Sequence, residues 1–161
     1  MDASMSTLVA WFWANGRMRA LSLALATVAA LGFVLSVVAH VAAAMGVLPF
    51  GGAVWGLHGG AVFVAIPAAL IARAEASSEP LRNFWRATLR RCPPWVKALA
   101  LATFVYAGAN FVLLFARTRG TRATDAVAVQ GFSAYWMAFY AIEFAILVAF
   151  LMREYDAERQ R

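Results

Sequence analysis

The stretch ALSLALATVAALGFVLSVVAHVAAAMGVLPFGGAVWGLHGGAVFVAIPAALIA, residues 20–72, holds no Asp, Glu, Lys or Arg over 53 positions. A helix crosses a ~30 Å hydrocarbon core with roughly 20 apolar residues, so this run is too long for one span. It breaks at Gly46-Val47-Leu48-Pro49-Phe50-Gly51-Gly52, where Pro and Gly mark a tight connection. The stretch therefore reads as a hairpin of two spans, about 21–45 and 53–72. Further along, apolar segments at about 98–116 and 132–152 supply two more, the last interrupted by Glu143. A segment over 1–19 and a tail over 153–161 flank them. The sequence predicts a single all-α membrane domain over 1–161, a four-transmembrane-helix bundle.

Composition excludes the soluble alternatives. Of the 161 residues 63% are hydrophobic and 14% charged, with a mean hydropathy of +0.71. Soluble domains carry about 25% charged residues. The net charge of +6 does not point to nucleic acid, because the basic residues flank apolar spans as membrane orientation requires. The lone cysteine, Cys92, excludes an internal disulfide and any Cys-x-x-Cys motif, and with them the thiol-oxidising four-helix enzymes. Abundant Ala, and Arg greatly preferred to Lys (Lys97 is the only lysine), suggest a GC-rich bacterial genome and hence an inner-membrane setting.

Orientation follows from the basic residues. Arg17 and Arg19 precede the first span; Arg73, Arg82, Arg86, Arg90, Arg91 and Lys97 lie between the second and third. Arg117, Arg119 and Arg122 follow the third, and Arg153, Arg159 and Arg161 the fourth. With both termini in the cytoplasm, eleven cationic residues lie inside and three outside, which the positive-inside rule favours. The first apolar segment, about 25 residues, exceeds the 7–15 of a signal-peptide core, so it is expected to remain as a span.

Between spans two and three, Ser77-Ser78-Glu79-Pro80 has the composition of a helix start and Pro93-Pro94 that of a stop. Leu81, Phe84, Trp85, Thr88, Leu89 and Cys92 would share one face, with Arg82, Arg86 and Arg90 striping the other and Arg91 beside them. A basic amphipathic helix of this kind lies in the membrane interface. The bland reading is an anchoring connector. The sharper one is a surface for anionic lipid head groups or an acidic partner. Aromatic belts are expected from Leu8, Trp11, Phe12 and Trp13 at the inner interface, and from Phe50, Trp55, Tyr135 and Trp136 at the outer.

Glu143 is the one charged-type residue placed inside a span. An intramembrane carboxylate costs several kcal/mol and is a functional hypothesis by default. Counting from the outer ends puts Tyr106 at a matching depth of roughly 15 Å, with Asn110 one turn outward. Tyr140, three residues before Glu143, shares its face. The structural alternative is a neutral acid bonding across helices; the functional one is a proton relay or cation site.

His40 and His58 lie nine residues either side of Pro49, a level pair on adjacent antiparallel helices. Such a pair is what bis-imidazole ligation of haem b requires. Against it, Gly52, Gly56 and Gly60 form a GxxxGxxxG stripe suited to close helix approach. His58 falls about 160° from Gly56 around the helix, so packing on that stripe turns it away. No cofactor is expected on balance. The sequence contains no Gly-rich phosphate loop, Gly-x-Ser-x-Gly elbow or His-Glu-x-x-His pair, and no catalytic constellation assembles around Glu143 or either histidine.

Four stretches carry a family likeness: Trp55-Gly56-Leu57-His58, Cys92-Pro93-Pro94-Trp95, Tyr106-Ala107-Gly108-Ala109-Asn110-Phe111, and residues 132–140, Phe132 through Tyr140. On these the chain resembles a group of uncharacterised small bacterial four-helix membrane proteins, a resemblance that implies membrane integration and no specific activity. Small multidrug exporters share four helices and one membrane carboxylate, but theirs lies in the first helix of a shorter chain. The expectation is therefore a non-enzymatic accessory or assembly protein, associating as a homo-oligomer or with a membrane-complex partner. A proton- or cation-coupled transporter built on Glu143, and a haem carrier built on His40 and His58, are the alternatives.

Overall fold

A computed structural model describes residues 17–48, 50–118 and 124–160. The expected inner aromatic belt, the apex Pro49, and Arg119 and Arg122 lie outside these residues. Five α-helices form the described chain: α1 Arg17–Ala44, α2 Gly56–Glu75, α3 Phe84–Thr88, α4 Pro94–Thr118 and α5 Asp125–Arg159. Four candidate membrane spans, Arg17–Ala44, Gly51–Glu75, Pro94–Ala116 and Asp125–Arg159, are long and apolar enough to cross a bilayer. The protein is a multi-pass, all-α four-helix bundle. Helices overrun the apolar segments on which they were placed, since intrahelical hydrogen bonding continues where the chain leaves hydrocarbon.

The hairpin turns where Gly and Pro cluster. Gly46, at φ 77°, closes α1 in a Schellman arrangement: its N–H donates to Ala43 carbonyl at 3.0 Å and the Val47 N–H to Ala42 carbonyl at 2.9 Å. A 3₁₀ turn over Gly51–Trp55 then leads into α2.

The last helix is the hub. α5 packs against α1, α2 and α4, most extensively against α1. Its buried residues Val129, Ser133, Trp136, Tyr140, Glu143, Leu147 and Phe150 recur at alternating steps of four and three, a heptad seam. Ser22, Leu25, Ala29, Gly32, Ser36, Ala39 and Ala43 make the matching seam on α1, and Ala61, Val64, Ala68 and Ile71 that on α2. Small residues dominate α1 because lipid tails are as apolar as leucine. Helices then associate by close approach rather than by escaping water. A second, alanine-rich face of α5 receives α4: Ala141, Ala145 and Ala149 meet Cys92, Val96 and Ala100, while Ala134, Met137 and Ala138 meet Ala107.

The connector between α2 and α4 is not the continuous amphipathic helix expected over 77–92. Pro80, extended at φ −60° and ψ 148°, precedes a 3₁₀ turn over Leu81–Asn83, and α3 lasts five residues. The chain bends so that Thr88 and Cys92 are buried, and the Thr88 hydroxyl donates to the Ala72 carbonyl at 3.4 Å. Pro94, expected as a stop, instead occupies the first position of α4, where a missing N–H is harmless. Of the Arg stripe, Arg90 pairs with Glu79 at 3.6 Å and Arg91 with Asp156 at 3.3 Å. Arg82 and Arg86 are exposed. Arg153 pairs with Glu75 and Glu154, and Arg19 reaches Glu158 at 2.6 Å. Exposed pairs of this kind contribute little each, but together they tie α1, α2, the connector and α5 at one end.

Candidate functional site

The heptad seam of α5 carries four polar side chains, Ser133, Trp136, Tyr140 and Glu143, which face the polar interior of the described bundle together with Ser22, Ser36 and His40 of α1. At the end nearer the hairpin, His40 of α1 lies between α4 and α5. Its Nε2 is 2.6 Å from the Tyr106 hydroxyl and its Nδ1 is 3.0 Å from Ser133 Oγ. For a neutral imidazole the proton positions follow from the acceptors. Ser133 Oγ lies 3.2 Å from the Gln130 carbonyl, which can only accept, so the serine gives its proton there. Ser133 then accepts from His40 Nδ1–H, and the free lone pair on Nε2 accepts from Tyr106 O–H. Asn110 Nδ2 donates to the same carbonyl at 3.3 Å. A directed chain thus runs from Tyr106 through neutral His40 and Ser133 to Gln130, joining α4, α1 and α5.

His58 takes the opposite tautomer. The Trp136 indole N–H, donor only, gives to His58 Nδ1 at 3.3 Å, leaving the imidazole proton on Nε2. Trp136 is buried, so it belongs to the core and not to the outer belt on which the sequence placed it. Its rim neighbour Trp55 meets it edge to face at 5.7 Å between ring centroids. The two histidines are therefore held by different partners. For either to ligate through Nε2, His40 would lose Tyr106 and His58 would change tautomer and lose Trp136. No cluster of three or more His, Cys, Asp or Glu with metal-holding geometry occurs among the described residues.

Tyr140 is a wedge between three helices. A Cβ built on Gly32 of α1 would collide with its ring, and one on Gly60 of α2 with its hydroxyl; that hydroxyl donates to the Leu57 carbonyl at 2.8 Å. Gly60 is thus a packing glycine, but its partner is α5. Gly52 and Gly56 have nothing within 4 Å of an added Cβ among the described residues, and Gly59 is equally open. That part of the stripe does not lie against α1.

Glu143 is 3% exposed, and neither carboxyl oxygen has a hydrogen-bond partner among the described residues. Tyr106, Asn110 and Tyr140 are committed elsewhere. The register set by Tyr140 against Gly32 and Gly60 carries Glu143 to the level of Ala29 and Val64, both fully buried. The mismatch with Tyr106 arises from where the helices begin. α5 starts at Asp125 rather than near 132, so Glu143 lies 18 residues, roughly 27 Å, along it, and Tyr106 only 12 residues, roughly 18 Å, from the Thr118 end of α4. Sequence reading missed Ser133 and Trp136. Their spacing with Tyr140 and Glu143 along one face is the signal that could have found them.

In comparison with known proteins, no protein-family model, curated protein or solved structure matches the chain.

Proposed function

We propose that this is a non-catalytic accessory protein of the bacterial inner membrane, with both termini cytoplasmic, which works by docking a transmembrane helix of another chain. The observation that carries the reading is the open glycine face of α2. Among the described residues nothing lies within 4 Å of a Cβ added at Gly56 or Gly59, or at Gly52 in the turn before α2, although the opposite seam of α2 is packed. The face continues through Phe63 and Ile66, 67% and 62% exposed. Pro67 within α2 has no N–H to give the Phe63 carbonyl, and backbone groups in lipid need a donor from a neighbour. Small residues on an open helix face are what helix association in a bilayer uses. The polar chain through His40 supports the same reading, since its groups are spent in joining the protein's own helices. Particle size of the full chain, extracted in mild detergent from its native membrane together with whatever it binds, tests it: Gly56→Leu and Gly59→Leu should abolish a larger species formed by the parent while leaving the chain folded. An unchanged distribution refutes the docking face.

A second reading rests on Glu143, a buried carboxyl with neither oxygen partnered among the described residues. Such a group serves proton exchange if the seam opens. Proton flux in liposomes, measured for the parent and Glu143→Gln, decides it; equal traces remove this reading.

A further inference from the structure

A second feature of the bundle faces lipid at the opposite side of α5. Along the α4–α5 contact runs a cavity of about 280 Å³. Ala100 and Ala145 form its floor, where methyl side chains leave the two helices close and the surface concave. Leu101, Phe104 and Ile142 form the walls, and the connector closes one end with Trp85 and Leu89. The single charged group in the lining is Lys97, in the first turn of α4. No carboxylate lies within ion-pair distance of it among the described residues.

The order of these groups is directional. Lys97 sits at the end where the connector and the Arg153–Glu75 pair lie, and Phe104 lies seven residues further along α4, roughly 10 Å deeper into the span. Cation at the mouth, Trp over the upper wall and hydrocarbon below reproduce the order of phosphate, interface and acyl chain in one leaflet. A free phosphate ion has no use for the apolar trough.

We propose that this groove is a binding site for one anionic phospholipid, with an acyl chain along Leu101, Phe104 and Ile142 and the head-group phosphate on Lys97. The proposal rests on α4 and α5 spanning a bilayer and is independent of the docking face on α2. It also differs from the basic connector surface, because Arg82 and Arg86 do not line the groove.

The test is native mass spectrometry of the full chain released from vesicles of equal phosphatidylglycerol and phosphatidylcholine. One phosphatidylglycerol should be retained per chain. Lys97→Gln should lower its preference over phosphatidylcholine about fivefold, the factor expected for one interfacial cation. Leu101→Trp, which fills the trough from an exposed position, should lose both lipids, and Arg82→Gln with Arg86→Gln should change neither. Labelling of the parent chain with a phosphatidylglycerol carrying a photoreactive acyl chain keeps the test independent of variant folding. Adducts should map to 97–104 and 142–145. Equal lipid retention by parent and Lys97→Gln, displacement by glycerol phosphate alone, or adducts lying elsewhere in the chain would each overturn the proposal. So would capture of residues 1–16 or a second copy by a photocrosslinker at Leu101.

Discussion

The Tyr106 hydroxyl donates to Nε2 of His40 across 2.6 Å, so a helix at the edge of the bundle is tied to α1 through a side chain that is itself anchored on α5. Tyr106 is 45% exposed, whereas His40 and Ser133 are buried. The bond is therefore made at the rim of the bundle, between an exposed hydroxyl and a buried ring.

Removing that donor leaves a buried imidazole nitrogen unpaired. Tyr106→Phe should destabilise the folded chain by about 0.6–1.7 kcal/mol, the range of interhelical hydrogen bonds in membranes. Ser133→Ala should cost a similar amount. The two changes should be non-additive, because both act on the tautomer of His40. Unfolding equilibria in mixed micelles for both single variants and the double variant check this; strict additivity would mean that His40 does not couple them.

Glycines that receive Tyr140 should be intolerant of any side chain. Gly32→Ala and Gly60→Ala both intrude on that ring or hydroxyl and should each destabilise the chain by about 1–3 kcal/mol, the usual cost of overpacking. Gly56→Ala should be neutral for the isolated chain, since none of the described residues faces it. The ordering of thermal midpoints among the three variants is the readout.

With no partner for either oxygen among the described residues, Glu143 brings a desolvation cost that no side chain there offsets. Glu143→Leu should leave stability equal or raise it by about 1–3 kcal/mol, the cost of a buried unsatisfied group. A marked loss of stability in Glu143→Leu would show that the carboxyl makes a tie that the arrangement described here lacks.

Cys92 should resist alkylation in the folded protein. It is buried, and burial pushes its thiol above the ordinary value while the nearby Lys97 charge pulls modestly the other way. A raised value means less thiolate at any neutral or mildly alkaline pH, and so slower reaction than a free thiol. Labelling rates with a maleimide across pH, before and after denaturation, give the comparison; equal rates in both states contradict the burial.

The spans were legible because a run without charge over 20–72 admits no other solvent than lipid. The hub role of α5 was not. In a bilayer the outward face of a helix is as apolar as its packed face, so hydrophobic periodicity no longer separates them. What remained visible was small and polar residues, and these misled by half. Gly60 is a contact and Gly56 is open among the described residues; Tyr106 and Asn110 are hydrogen-bond partners of His40 and the Gln130 carbonyl rather than of Glu143. Depth counting failed there because it assumed that α4 and α5 begin at one level. The connector was misjudged for another reason. Its composition favours a helix, but burying Thr88 and Cys92 against the bundle requires a bend.

The central claim is that α2 offers its open glycine face to a helix of another chain, and photocrosslinking in native membranes tests it most directly. A photoreactive residue at Phe63, which continues that face at 67% exposure, should give a discrete protein adduct that Gly56→Leu abolishes. The same probe at Leu113 on α4, 57% exposed, should give none. Adducts of lipid alone at Phe63, or a protein adduct indifferent to Gly56→Leu, would contradict the account.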